Sequence, residues 1–143
     1  MKTLFASFAI FLFSALTIQA QDADAILGVW NNTEKDGRIE IYKEGNKYFG
    51  KIIWLKEPTD NGKPKTDENN PDESLQDKPI LGLEILEGFT FEDGTWEDGT
   101  IYDPKNGKTY SCVMTLKDKD ILEVRGYIGV SLFGRTVEWT REK

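Results

Sequence analysis

The sequence contains no histidine. That absence removes Ser-His-Asp and Cys-His nucleophilic sites, imidazole metal ligands and the side chain that most often serves as a general base near neutral pH. There is one cysteine, Cys112, so no intramolecular disulfide can form and the fold must be held by packing. Set among strand-forming residues, the thiol reads as a small buried hydrophobe in preference to a reactive or dimer-forming group. After residue 20 the chain also lacks any long helical period and any apolar run able to cross a bilayer. Basic charge is scarce too: 18 Lys and Arg face 25 Asp and Glu.

The uncharged run that does exist lies at the start, from Leu4 to Ile18, behind Met1-Lys2 and ahead of Gln19-Ala20 and Gln21-Asp22. It is shorter than the roughly 20 residues of a membrane span and has the layout of a secretory signal peptide. Cleavage is expected near Ala20, with Ile18 departing from the small-x-small pattern. Export to the periplasm or the medium follows as an expectation. With Cys112 far downstream, a lipid-modified N-terminal cysteine is excluded. Residues 21–143 then form the mature part, a length that suits one domain. The leader carries one lysine and no acid, so 17 basic residues remain against 25 acidic ones. Such a chain repels phosphate backbones and anionic lipid surfaces, and its lysines are scattered. Nucleic acid is therefore not an expected partner, nor is stable membrane insertion expected.

Gly, Asn and Asp punctuate the mature part at short intervals, and β-branched and aromatic runs lie between them. The runs predict strands at 28–31, 38–43, 48–55, 83–91, 95–96, 100–102, 108–116, 121–127 and 135–141. Turns are expected at 35–37, 44–46, 93–94, 98–99, 103–107 and 117–120. Residues 79–83 suit either a short helix or the start of a strand. About eight strands in up-and-down order predict an all-β fold, a closed antiparallel barrel with no exposed edge; a β-sandwich is the alternative. Residues 57–78 interrupt the rhythm with a long polar stretch, read as a surface excursion or as a lid or partner-binding loop.

Alternation assigns faces. Tyr48, Gly50, Ile52 and Trp54 form one inward set, and Tyr110, Cys112, Met114 and Leu116 a second. Leu122, Val124 and Gly126 face inward on the next strand, and Val137 and Trp139 on the last. Arg135 shares that parity, so its charge must meet a partner, a ligand or water at the barrel rim.

Both ends of the mature chain carry a further pattern. Gly28-Val29-Trp30 opens the first strand and Trp139-Thr140-Arg141 closes the last. This resembles the lipocalin and fatty-acid-binding barrels, the calycins, in which a Gly-x-Trp indole plugs the floor and an arginine of the final strand lies across it. A resemblance over nearly the whole mature chain is carried by Gly50-Lys51-Ile52-Ile53-Trp54-Leu55, Asn70-Pro71-Asp72, Pro79-Ile80-Leu81-Gly82-Leu83, the run from Trp96 to Tyr110, Arg125-Gly126-Tyr127-Ile128-Gly129 and Phe133-Gly134-Arg135-Thr136. By these segments the chain is similar to the bacterial exported family known as domain of unknown function 2147 (DUF2147). The family's arginines ahead of Pro-Ile-Leu-Gly are replaced here by Gln76-Asp77-Lys78, which implies a weaker grip on any anionic ligand held there.

Other chemistry finds less support. Asp67-Glu68-Asn69-Asn70-Pro71-Asp72 offers oxygens at alternate positions, but proline and aspartate stand where a calcium loop needs a ligand and a glycine. No metal and no cofactor are expected. Glu92-Asp93-Gly94-Thr95 and Glu97-Asp98-Gly99-Thr100 present paired carboxylates of the glycosidase kind, but nothing in the flanks buries them, and two tight turns account for the repeat. The resulting expectation is a non-enzymatic binding barrel for a small apolar or amphipathic molecule, with Gly28, Trp30 and Arg141 as its floor. Its candidate ligand-binding residues are Tyr48, Trp54, Tyr110, Met114, Arg135 and Trp139. A cell-envelope interaction or structural module is the alternative.

Overall fold

The structure, a computed structural model, describes residues 9, 10, 12 and 22–143; apart from those first three positions, the leader read over residues 1–20 lies outside the described residues. A short 3-10 helix, Ala23–Ile26, precedes β1 (Gly28–Asn31), β2 (Gly37–Glu44) and β3 (Lys47–Leu55). A two-stranded hairpin, β4 (Thr59–Asp60) and β5 (Lys63–Pro64), and a 3-10 turn at Glu73–Leu75 lie in the excursion that follows. Then come β6 (Glu84–Glu92), β7 (Thr95–Asp103), β8 (Lys108–Asp118), β9 (Ile121–Tyr127), a 3-10 turn at Ser131–Phe133 and β10 (Arg135–Arg141). Eight strands close an antiparallel barrel in the order β1-β10-β9-β8-β7-β6-β3-β2. The sandwich alternative is thereby set aside.

Three tight turns, β2–β3, β6–β7 and β8–β9, and a helix close one end, here called the floor. Trp30, Trp96, Tyr48, Phe89, Leu86, Met114 and Leu122 are buried there with Ile26 and Ile41. The N-terminal helix lies beneath them. Its carbonyls receive the two indole N–H groups: Trp30 donates to Ile26 at 2.9 Å and Trp96 to Ala23 at 3.0 Å. Arg141 lies across the Trp30 ring, its guanidinium carbon 4.3 Å from the centroid. The same guanidinium donates to the carbonyls of Leu27, Ala25 and Lys119 at 2.8–2.9 Å. Gly28 makes room for this: its φ is +128°, and a Cβ there would lie 3.0 Å from the Arg141 Nη1.

The remaining turns sit at the other end, the mouth. The β1–β2, β7–β8 and β9–β10 connections and the long excursion between β3 and β6 all emerge there. The excursion is packed against the barrel. Asp67 accepts from the Tyr102 hydroxyl at 2.7 Å and from Asn70 Nδ2 at 2.8 Å and is fully buried; Asn69 donates to the carbonyls of Pro104 and Lys105. Thr66 bridges Pro79, and residues 79–83 form a turn in place of the short helix that their sequence allowed. The β4–β5 turn is Asn61-Gly62 with φ of 49° and 77°, the pairing favoured in a two-residue hairpin.

The strands predicted at 95–96 and 100–102 are one strand, β7. Asp98-Gly99, expected as a turn, is a bulge at which the β7–β8 register shifts. Gly99 is required because the Phe89 ring lies on its Cα: a Cβ would come within 2.4 Å of the ring. Trp54 also departs from its assigned face. The β2–β3 pairing runs Arg38↔Trp54 and then Ile39↔Ile52, so Ile53 is an extra residue and the parity reverses beyond it. Trp54 therefore faces outward beneath the Arg38 guanidinium, 4.3 Å from its ring, and Leu55 takes the inward place.

Two expectations follow from the floor. Trp30→Ala removes a fully buried indole and should destabilise the protein by roughly 3–5 kcal/mol in urea unfolding; a loss below ~1 kcal/mol would mean that the plug is dispensable. The Tyr48 hydroxyl, 2.6 Å from Asp24, and the Lys43 ammonium hold the Asp24 carboxyl below its ordinary range. A carboxyl depressed on folding contributes stability that is complete above its unfolded value of about 3.9 and disappears as pH falls through the folded value. The unfolding midpoint should thus fall less for Asp24→Asn than for wild type between about pH 5 and pH 3, and parallel curves would place the acid sensitivity elsewhere.

Candidate functional site

Large side chains fill the floor half of the barrel; mainly smaller aliphatic ones, with Trp139 and Tyr110, line the mouth half. The outcome is a cavity of about 980 Å³, open at the mouth. Its deep wall is apolar: Ile39 and Ile52 from β2 and β3, Leu55, Ile85, Val124, Val137 and the face of Trp139. Ile39, Ile52, Val124, Val137 and Trp139 are inward by alternation, Leu55 because of the Ile53 bulge, and Ile85, next to the inward Leu86, because it is the extra residue where the β3–β6 register shifts. Polar groups are confined to the rim, where all four mouth connections contribute, with Asn32, Asp36, Glu57, Lys65, Lys105 and Asn106 among them.

Most of the rim charge is internally matched. Lys105 lies 3.5 Å from Asp36, and Lys65 lies 3.8 Å from Glu57. Asn32 donates to Asp36 at 2.6 Å and, ahead of the Lys105 charge, holds that carboxyl below its usual range. Arg135 is exposed at the rim, opposite Gly126, and has no ion-pair partner among the described residues. Tyr102 borders the cavity and anchors the excursion. Desolvation, reinforced by its bond to Asp67, pushes its hydroxyl up to about 12, so it remains a protonated donor and cannot act as a general base near neutral pH.

The six candidate ligand-binding residues separate into three environments. Tyr110, Arg135 and Trp139 line the cavity; the Tyr110 hydroxyl accepts from Asn106 at the rim, while Trp139 is 5% exposed. Tyr48 and Met114 face inward but lie in the packed floor half, where Tyr48 bonds Asp24. Trp54 is outside the barrel wall, a correction that follows from the bulge at Ile53. The sequence reading passed over Leu55, Ile85 and Tyr102 as lining residues. Asn61-Gly62 was a signal that the excursion has structure of its own.

Carboxylates form no other centre. Glu92 and Glu97 stand together at the floor-end β6–β7 turn, where hydrogen bonding and repulsion from Glu97 raise the Glu92 carboxyl above its usual range. None of Glu92, Asp93, Glu97 and Asp98 contributes to the cavity lining. Among the described residues no three His, Cys, Asp or Glu side chains are placed to hold a metal ion. Cys112 is buried in β8, and burial pushes its thiol up to about 12.

The model of a family described as an uncharacterized protein conserved in bacteria, DUF2147, matches residues 28–141. The chain belongs to this family. That match begins at the floor glycine and ends at the floor arginine, so both halves of the plug lie within the DUF2147 unit. A solved structure of a Helicobacter pylori protein, described as belonging to the lipocalin family, is 22% identical, with a TM-score of 0.71 and 82% of each chain covered. This likeness concerns the fold, a lipocalin-like barrel. No curated protein matches the chain. Ahead of Pro79-Ile80-Leu81-Gly82, Gln76 donates to the Asn70 carbonyl within the excursion, and Lys78 borders a groove outside the barrel.

The Asp67–Tyr102 bond ties the excursion to the mouth and yields a local test. Tyr102→Phe leaves a buried carboxylate short of one donor, at a cost of about 1–3 kcal/mol. Hydrogen exchange should accelerate at the amides of Asp67 and Ile80, which bond the carbonyls of Lys78 and Lys65, while β8 and β9 amides keep their protection. Uniform acceleration across the barrel would show that the excursion is not a separate unit.

Proposed function

We propose that this DUF2147 member is an exported binding protein that takes up a small, largely apolar or amphipathic molecule through the mouth of its barrel. The observation that carries the reading is the cavity itself. Its volume of about 980 Å³ lies at the upper end of the roughly 300–1,000 Å³ typical of small-molecule sites. The apolar wall supplies the driving force, because a ligand entering it removes hydrocarbon from water on both sides of the contact. Rim polarity supplies orientation: a molecule with one polar end would leave that end at Arg135, Tyr110 and Asn106.

A binding role also agrees with the chemistry available. No histidine exists to move protons near neutral pH. The tyrosine at the cavity edge is held protonated, and the rim carboxylates Asp36 and Glu57 are engaged with cations or amides. None is set against a nucleophile in the apolar chamber. Export rests on the leader over residues 1–20.

The apolar fluorophore 1-N-phenylnaphthylamine tests the chamber directly. Its emission should rise on binding, with saturation in the micromolar range. Val137→Trp, which places an indole into the cavity, should weaken binding by about tenfold or more, or ~1.4 kcal/mol, without abolishing the thermal transition. Fluorophore binding that Val137→Trp leaves unchanged would locate the site elsewhere, and no binding at all would remove the reading. Native mass spectrometry of protein taken from its own host should then reveal a retained small molecule.

A further inference from the structure

One segment of the rim breaks the separation of apolar and polar surface. Between β9 and β10, Ile128, Val130, Leu132 and Phe133 are 67%, 59%, 80% and 78% exposed. Elsewhere among the described residues of the mature part, the large exposed hydrophobics are single ones, Ile53 at 38% and Leu81 at 49%. Four such side chains on one short connection are a concentrated departure from an otherwise polar rim. Ile128 and Phe133 also line the cavity entrance, whereas Val130 and Leu132 are not part of its lining. From Val124 to Val137 the sequence contains no carboxylate and two arginines, Arg125 in β9 and Arg135 in β10. The chain's large acidic excess is thus kept off this sector.

We propose that the β9–β10 connection is a bilayer-contact tip by which the mouth of the barrel rests on a phospholipid surface. Apolar side chains at the tip match the acyl boundary, and the exposed guanidinium of Arg135, two residues beyond Phe133, matches the lipid phosphates. Tyr127, at the junction, is of the type enriched at membrane–water interfaces. A protein partner fits less well: four side-chain tips fall short of the roughly 800 Å² per partner of a stable interface, and the surrounding rim is charged and internally paired. The acidic body favours zwitterionic over anionic lipid. The contact rests on this loop alone; direct passage of a lipophilic molecule between bilayer and cavity rests in addition on the binding role proposed above.

Flotation of the purified protein with phosphatidylcholine–phosphatidylethanolamine vesicles tests the contact, beside a Val130→Ser/Leu132→Ser variant whose two changes lie outside the cavity lining. Wild type should float, and the variant should partition about tenfold less while binding 1-N-phenylnaphthylamine within about twofold of wild type. Wild type that stays with the soluble fraction, or a variant that floats equally, overturns the proposal. A loop-dependent dimer on light scattering without flotation overturns it as well and makes a second copy the occupant. Flotation without fluorophore binding leaves the contact standing and removes the ligand role, so the two readings fail separately.

Discussion

The contact on which the barrel depends is the Arg141 guanidinium laid on the Trp30 indole. Closure of the eight strands occurs between β1 and β10, where only two residue pairs meet, Trp30↔Arg141 and Asn31↔Thr140. Backbone hydrogen bonding at that seam is short compared with the long ladders elsewhere, so side chains must hold it. Arg141 does this three ways: it stacks on the ring of its own cross-strand partner, caps carbonyls of the N-terminal segment, and ties the β8–β9 turn through Lys119. A cation in this position is tolerable because its donors are met by fixed carbonyls and its face by an indole, leaving little unsatisfied charge to desolvate. Lysine could supply the charge but not the planar fork.

From this plug upward, the barrel is two regions with different jobs. In the floor half, four aromatic rings and Leu, Ile and Met side chains meet across the axis and leave no room. In the mouth half the inward positions are mainly Ile, Val and Leu, which cannot reach one another across the same diameter, with Trp139 and Tyr110 bordering the space they leave. The cavity is therefore a consequence of where large residues stop along the strands. The rigid floor carries the stability, and the open half can hold a chamber because the floor makes up for the packing lost there. The excursion after β3, pinned through Asp67 to Tyr102, completes one wall of the mouth without entering the barrel's hydrogen-bond ladder.

Much of the fold was legible from local signals. Short β-branched runs separated by turn residues indicated the strands, and the Gly-x-Trp and terminal arginine indicated how the ends meet. The errors share a cause. Alternation counts residues, and a bulge inserts one residue without changing the composition around it. Ile53 moved Trp54 to the outside, and the Asp98-Gly99 bulge passed for a turn because turns and bulges use the same left-handed residues. Gly99 makes the point sharply: its reason is the Phe89 ring on the neighbouring strand, which no reading of residues 95–103 alone contains.

The candidate site shows the same division. Which residues face inward was a property of the sequence, since the period of two follows from the pleat and holds wherever the strand is regular. How deep each lies was not. Tyr48 and Met114 share the parity of Trp139 and Tyr110, yet the first two are sealed in the floor and the second two border the chamber. Depth along the barrel axis depends on strand stagger and on which side chains from other strands arrive at the same level. The sequence by itself therefore determined the class of fold, the floor pair and the want of histidine chemistry, all set by residue type and local order. Only the tertiary structure decided where the barrel is full and where it is empty, because a void is the difference between a wall's diameter and the reach of side chains that are distant in the chain.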